Sequence, residues 1–215
     1  MSVSAQRAGM LSGVAAALLL FFGTTTMISS TPDTAHKSAD EVAQKWATWI
    51  DDSGHRTSAL IGGFLVILAA IAFIWFACTI AARLAGASQV LIGFAILAAV
   101  GMAAGAAGPL ALTGGHAFGD DPVPTDGNVI WLVYSLAFPM ILVVFGLAAS
   151  AFIATAVVAG RRVLPMWLVV FGWIAVVGGM FGVLFIPIVL VLLWLIAAGI
   201  YGAVRPAGAQ PVGAP

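Results

Sequence analysis

The residues best suited to chemistry lie in two short polar segments of an otherwise apolar chain. His55 follows two aspartates at near-helical spacing, and a second segment, GGHAFGDDPVPTDGN, contains His116, Asp120 and Asp121. Imidazole and carboxylate groups are common ligands of divalent metals. The candidate metal ligands are therefore His55, His116, Asp120 and Asp121. Neither an EF-hand spacing nor an HExxH pattern is present. Because Gly, Pro and Asp are typical of any exposed loop, a solvated loop is the preferred interpretation and a metal site the alternative.

The long apolar segments lack the groups that intramembrane chemistry uses. None of them contains Asp, Glu, Lys, Arg or His, whereas proton- or ion-coupled transporters usually keep such residues near the membrane midplane. A membrane haem would need His within helices, and a serine-type protease would need a His or Lys partner. The single cysteine, Cys78, excludes an internal disulfide and a CxxC pair. The sequence predicts no cofactor, and an enzyme ranks last among the functions considered.

Composition predicts a polytopic membrane protein. Hydrophobic residues make up 62% of the 215 residues and charged residues only 7%, far from the balance of a soluble domain. A net charge of zero gives no reason to expect nucleic acid. The charge-free run 163–204 is about twice the bilayer core thickness as one helix, so it should fold back near Gly182–Pro187. We therefore predict an all-α helix bundle forming one membrane domain, 1–215, with external loops 29–57 and 113–128 and six spans of the length that a bilayer requires, near residues 8–28, 58–82, 88–112, 129–158, 163–183 and 186–204.

The distribution of Lys and Arg predicts the orientation. Short cytoplasmic loops are enriched in both residues, and an inside N-terminus places five arginines in cytoplasmic segments: Arg7, Arg83, Arg161, Arg162 and Arg205. All acidic residues and all three histidines then fall outside. This predicts a multi-pass protein of a bacterial cytoplasmic membrane with both termini cytoplasmic. The first span could instead be a cleaved signal peptide, but its end lacks an A-x-A site, so retention is preferred.

The stretch SADEVAQKWATWIDDSGHR holds much of the chain's charge and predicts a short external amphipathic helix between the first two spans. Ser38 and Glu41 have the spacing of a capping box, and Gly54 is suited to end the helix. Four apolar residues fall on one helical face: Val42, Trp46, Trp49 and Ile50. Trp favours the membrane interface, so the helix is expected to lie along the outer surface or to cap the bundle.

Small residues at four-residue spacing suggest where helices approach closely. Gly101 and Gly105, and Gly178 and Gly182, fit the small-xxx-small pattern. Packing within one bundle is preferred over an oligomer interface, which stays open as the alternative. Pro139 lies inside the fourth span and should bend it, because proline lacks an N–H and clashes with the preceding turn.

Two stretches resemble a group of uncharacterised multi-pass membrane proteins from high-GC bacteria. The first is ADEVAQKWATWIDDSGHRTSALIGGFLVILAAIAFIWFACTIAARL, with its Gly54-His55-Arg56 junction, Trp75 and closing Arg83. The second is LPMWLVVFGW, which is similar to the entry to the next-to-last pair of helices in that group. The resemblance implies a polytopic domain of unknown function and assigns no catalytic or binding residue.

Three classes of function follow, in order of preference. The first is a structural or accessory membrane protein that contacts the lipid bilayer and a membrane-protein partner, or a second copy of itself. The second is a small-solute or lipid-handling transporter without intramembrane charges, with Tyr134, Ser135 and Thr155 as candidate cavity-lining residues. Hydroxyls in membrane helices, however, more often bond to their own backbone. The third is an outer-face metal-dependent enzyme or sensor built on the His and Asp residues above.

Overall fold

The computed structural model describes residues 2–29, 31–118, 122, 124–184 and 186–205. Over these residues it contains seven helices and no strand, which confirms the all-α fold class. Short 3₁₀ turns occupy Ala85–Ala87 and Gly182–Leu184. The helices are α1 (Val3–Ser29), α2 (Ala39–Asp51), α3 (Ser53–Arg83), α4 (Ser88–Phe118), α5 (Gly127–Ala159), α6 (Met166–Met180) and α7 (Ile188–Val204).

Four of these helices, α1, α3, α4 and α5, are long and apolar enough to cross a membrane, while α6 and α7 are apolar but shorter. Their outward faces carry exposed large apolar side chains along much of their length, among them Phe22, Ile71 and Ile174. A water-soluble protein rarely exposes apolar surface on this scale. The helices and their surface are those of a membrane-embedded bundle.

Six helices close into a ring in the order α1, α3, α4, α5, α6, α7 and back to α1, each packing mainly on its two neighbours. The interior is filled by aromatic side chains. Phe73 and Phe76 of α3 meet Phe145 and Phe152 of α5, with ring centroids 5.4–6.3 Å apart. All four are buried, so the centre of the ring is a packed core.

Neighbouring helices run antiparallel, which gives the bundle two different ends. The start of α1 lies against the ends of α3 and α7, since Gly9 contacts Thr79 and Met10 contacts Gly202. The five arginines of the short segments all lie at this end, called here the basic end: Arg7, Arg83, Arg161, Arg162 and Arg205. The acidic residues of the described part lie at the opposite end, called here the acidic end: Asp33, Asp40, Glu41, Asp51, Asp52 and Asp126.

α3, α4 and α5 are longer than α6 and α7, and their additional length lies at the acidic end. At 1.5 Å per residue, α3, α4 and α5 are about 46–50 Å long, whereas α6 and α7 are about 22 and 26 Å. The chain folds back between α6 and α7 over residues 181–187, confirming the predicted turn. Gly182 in this turn lies against the carbonyl of Leu142, near the middle of α5. The acidic-end halves of α3, α4 and α5 therefore extend beyond the α6–α7 turn.

The interruption expected at Pro139 takes the form of a π turn inside a continuous helix. α5 is α-helical over Gly127–Pro139, π-helical over Met140–Val144 and α-helical again over Phe145–Ala159. The backbone N–H of Phe145 donates to the carbonyl of Met140, five residues earlier. Proline supplies no N–H and crowds the preceding turn, so a local change of hydrogen-bond pattern is a common outcome.

Candidate functional site

α2 begins with the predicted capping box. The backbone N–H of Glu41 donates to the Ser38 hydroxyl at 3.4 Å, and the backbone N–H of Ser38 donates to the Glu41 carboxylate at 3.0 Å. These bonds satisfy backbone donors that a helix start leaves free. The backbone N–H and hydroxyl of Ser38 hold the pKa of the Glu41 carboxyl below its usual range. The helix predicted within SADEVAQKWATWIDDSGHR is present and spans Ala39–Asp51.

The prediction that Gly54 ends this helix is wrong, because Asp52 forms the junction. Asp52 is the only residue between α2 and α3, and its carboxylate accepts from the backbone N–H groups of Gly54 at 2.7 Å and His55 at 3.2 Å. Gly54 thus lies in the first turn of α3, where backbone donors need a cap. The N–H groups of His55 and Gly54 lower the pKa of the Asp52 carboxyl.

Two basic side chains tie α2 to its flanking segments. The Arg56 guanidinium donates to the carbonyls of Ile50 at 2.7 Å and Asp51 at 2.9 Å, which lie at the end of the helix where cations are favourable. The Lys45 ammonium donates to the carbonyl of Asp33 in the preceding loop. Sequence reasoning did not assign either role, although an arginine just after a helix end is a recognisable C-terminal signal.

The apolar face of α2 packs on the acidic-end halves of three helices. Trp46, Trp49 and Ile50 are buried, and Val42 is partly buried beside them. Trp46 and Trp49 lie 4.9 and 5.0 Å from the ring of Tyr134, and 5.3 Å from each other. Together they form a second core separate from that of the bundle, called here the α2 core, with Ala59 of α3, Leu112 of α4, and Ile130 and Tyr134 of α5.

Gly127 lets α2 approach this closely. A Cβ atom at Gly127 would overlap the backbone carbonyl of Ala43. No side chain therefore fits at the start of α5 while α2 holds this position. Sequence analysis did not single out Gly127, and it suggested Tyr134 only as a cavity-lining residue, because neither belongs to a local pattern with α2.

Two polar atoms in the α2 core have no hydrogen-bond partner among the described residues. They are the indole N–H of Trp46 and the hydroxyl of Tyr134. Buried Trp and Tyr side chains usually find a partner for these groups. Aromatic packing and apolar burial, rather than side-chain hydrogen bonds, therefore hold Trp46 and Tyr134 in place.

The opposite face of α2 borders a polar groove of about 560 Å³. The His55 ring stacks on Trp49 at 5.6 Å with 6° between the planes, and its Nδ1 lies 3.3 Å from the Trp49 carbonyl oxygen. The groove carries charges of both signs on a water-accessible surface. Its lining comprises Pro32, Lys37, Glu41, Gln44, Lys45, Thr48, Trp49, Asp52 and His55.

The candidate metal site is only partly within the described residues. His55 stacks on Trp49 as above, whereas the side chain of His116 and the residues Asp120 and Asp121 lie outside the described part. Within that part, no three His, Cys, Asp or Glu side chains come together in a way that could hold a metal ion. A site formed by these four residues stays a prediction.

The hydroxyl residues considered for a cavity do not come together. Tyr134 is buried under α2, Ser135 is exposed, and Thr155 donates to its own backbone at Ala151, 2.8 Å away. Tyr134 and Thr155 are about 30 Å apart along α5. They cannot line one small cavity.

The four glycines of the small-xxx-small pairs all face helices of the same chain. Gly101 and Gly105 lie against the α5 backbone around Met140 and Ala137. Gly178 lies against the carbonyl of Pro187, and Gly182 against that of Leu142 as described above. Each position leaves too little room for a Cβ, which is the close backbone approach that such residues allow in membranes.

Comparison with protein families, curated proteins and solved structures found no match to this chain. The resemblance to multi-pass proteins of high-GC bacteria stays a prediction.

Proposed function

We propose that this chain is a six-span integral protein of a bacterial cytoplasmic membrane, with both termini cytoplasmic, and that it acts as an accessory protein for a membrane-protein partner. α2 would be its external amphipathic helix and would supply the contact. The observation that carries the proposal is the position of α2, whose apolar face is buried on the bundle while its charged face is left free.

Six spans are supported by the way α6 and α7 pack. Both helices have the composition of a span but only 15 and 17 residues. The start of α6 and the end of α7 both lie at the basic end, where the rings of Trp167 and Tyr201 are 6.3 Å apart. The turn between α6 and α7 lies beside Leu142 of α5. Leu142 is about 26 Å along α5 from the basic end, which is close to the thickness of a bilayer core. A helical hairpin of this height would be just long enough to cross the bilayer core.

The orientation is supported by the separation of charge between the two ends. The five arginines of the basic end fit the cytoplasmic side under the positive-inside rule. The acidic-end halves of α3, α4 and α5 would then extend beyond the outer surface of the membrane, and α2 packs against these halves. In this arrangement α2 caps the projecting helices instead of lying among lipid headgroups.

A contact role has more support than transport. Phenylalanine side chains fill the centre of the ring, and the Ser150 hydroxyl between α5 and α6 bonds to the carbonyls of Gly146 and Val176, at 2.8 and 3.0 Å. The exposed face of α2, by contrast, presents Gln44, Thr48 and several charged groups on a fixed support. A helix held at both ends and by a core of its own is a rigid platform for a partner.

The test is copurification from membranes with variants of the exposed face. Gln44→Arg and Thr48→Arg should each remove a stoichiometric partner, because both positions are exposed on α2. Val163→Arg is the matched control, since Val163 is 65% exposed at the basic end. A partner retained equally by all three variants, or no stoichiometric partner with the unmodified chain, would contradict the proposed role.

A further inference from the structure

The basic end concentrates cations, and the described part of the chain places no Asp or Glu among them. Five of the eight Lys and Arg residues lie there, and all eight acidic residues lie in segments 33–52 and 120–126. Arg7, Arg161, Arg162 and Arg205 are exposed, and Arg83 is half-buried. Like charges gathered on one surface repel one another unless counter-charges approach.

Two of these guanidinium groups are anchored to consecutive residues of one helix turn. Arg83 reaches across from the end of α3, and its Nη1 and Nη2 both donate to the carbonyl of Gly202 at 3.2 Å. Arg205 lies with its guanidinium carbon 5.3 Å from the ring centre of Tyr201, and its Nη1 donates to the Tyr201 hydroxyl at 3.2 Å. The carbonyl end of α7 offsets part of this positive charge, since a helix C-terminus is partially negative.

Donors are left over after these contacts. The Nε of Arg83 is buried without a partner among the described residues. The only hydrogen bond recorded for the Arg205 side chain there uses one of its five N–H groups. Guanidinium N–H groups arranged in this way match the oxygens of a phosphate, which Arg binds with two parallel hydrogen bonds.

The aromatic neighbours place this cluster at headgroup height. Trp167 packs edge-on against Tyr201, and both lie within one or two turns of the helix ends that carry the arginines. Trp and Tyr are enriched at the membrane–water interface. Basic pockets between transmembrane helices on the cytoplasmic side are a known form of anionic-lipid site.

We infer that the last turn of α7, with Arg83 and Arg205, forms a binding site for the phosphate headgroup of an anionic phospholipid. This inference rests on the proposed function, because only a membrane-inserted chain presents the site to lipid. A phosphodiester at this turn accepts the unused N–H donors of the exposed Arg205 and offsets the positive charge of both arginines. Its acyl chains would run along the exposed apolar surface of α6 and α7.

The test is native mass spectrometry of the full chain released from nanodiscs of equal parts phosphatidylglycerol and phosphatidylcholine. The unmodified chain should retain phosphatidylglycerol preferentially. Arg205→Gln should weaken this retention about fivefold, the effect expected for one basic side chain at an anionic surface. Arg83→Gln should weaken it at least as much, and Lys37→Gln, with the same change of charge at the acidic end, should leave it unchanged.

Three outcomes would overturn the inference: equal retention of the two lipids by the unmodified chain, an equal loss in Lys37→Gln, or unchanged retention in Arg205→Gln. Arg205 is exposed, so its variant remains informative if Arg83→Gln does not fold. Displacement of the lipid by millimolar inorganic phosphate would assign the site to a free phosphate and would also overturn it. Carbonate extraction of the chain from membranes would contradict the proposed function itself, whereas an inserted chain without lipid preference contradicts only the site.

Discussion

Truncating Trp46 to alanine should release α2 from the bundle without disturbing the other helices. Trp46 is 5% exposed and contacts the rings of Trp49 and Tyr134. Replacing a buried Trp by Ala typically costs about 3–5 kcal/mol through lost burial and the resulting cavity. Removing the unpartnered indole N–H returns about 1–3 kcal/mol. The difference between the middles of these ranges is a net loss of about 2 kcal/mol of local stability.

That loss should stay within α2, because the α2 core is separate from the core of the ring. A 13-residue helix is marginal on its own in water, so α2 should unfold once it is released. Trp46→Phe is the matched control: it keeps one aromatic ring and removes the unsatisfied N–H together with the second ring of the indole, so the lost burial and the removed N–H partly offset each other. It should leave α2 close to its original stability.

Hydrogen exchange followed by mass spectrometry on the purified chain measures this directly. In Trp46→Ala, amides of residues 42–51 should exchange about 30-fold faster, which corresponds to about 2 kcal/mol. Amides of α6 and α7, which contribute no residue to the α2 core, should be unchanged. Unchanged protection in α2, or an equal increase throughout the bundle, would refute the view that α2 is a separately stabilised cap.

Three further predictions concern the same region. Tyr134→Phe should stabilise the α2 core by about 1 kcal/mol, because it removes a buried hydroxyl without a partner; destabilisation in a denaturant titration would show that the hydroxyl is paired. Gly127→Ala should expose Trp46 to aqueous quencher, since its Cβ would overlap the carbonyl of Ala43; an unchanged quenching constant would contradict this. The lowered pKa of Glu41 means that its contribution to α2 is fully present above about pH 4.3 and is lost as pH falls through the lowered value. Glu41→Gln should reduce this acid-induced loosening, measured by Trp quenching, and an identical pH profile would argue against it.

The start of α2 and its buried face could be predicted because their signals are local. A capping box needs residues three apart, and the stripe from Val42 to Ile50 needs only helical periodicity. The α6–α7 turn was equally accessible, since a charge-free run of that length has to fold back. For α2 the deciding residues lie within about two turns of one another, and for the α6–α7 turn they form one unbroken segment.

What α2 packs against could not be predicted in the same way. Tyr134 is more than 80 residues from Trp46 in the sequence, and nothing in the sequence of α5 indicates that Tyr134 packs against α2. The helix end was misassigned to Gly54 because glycine is the usual C-terminal signal, whereas here Asp52 satisfies the first donors of α3. The unequal lengths of the helices also depend on tertiary packing, which periodicity does not report.

The six-span arrangement, with the basic end in the cytoplasm, is the central claim, and cysteine labelling in intact cells tests it most directly. In a Cys78→Ala background, single substitutions Gln44→Cys and Val163→Cys place one thiol at each end, both at exposed positions. An impermeant thiol reagent should label the first in intact cells and the second only after the membrane is permeabilised. Labelling at position 163 in intact cells, or protection of position 44 until permeabilisation, would contradict the arrangement.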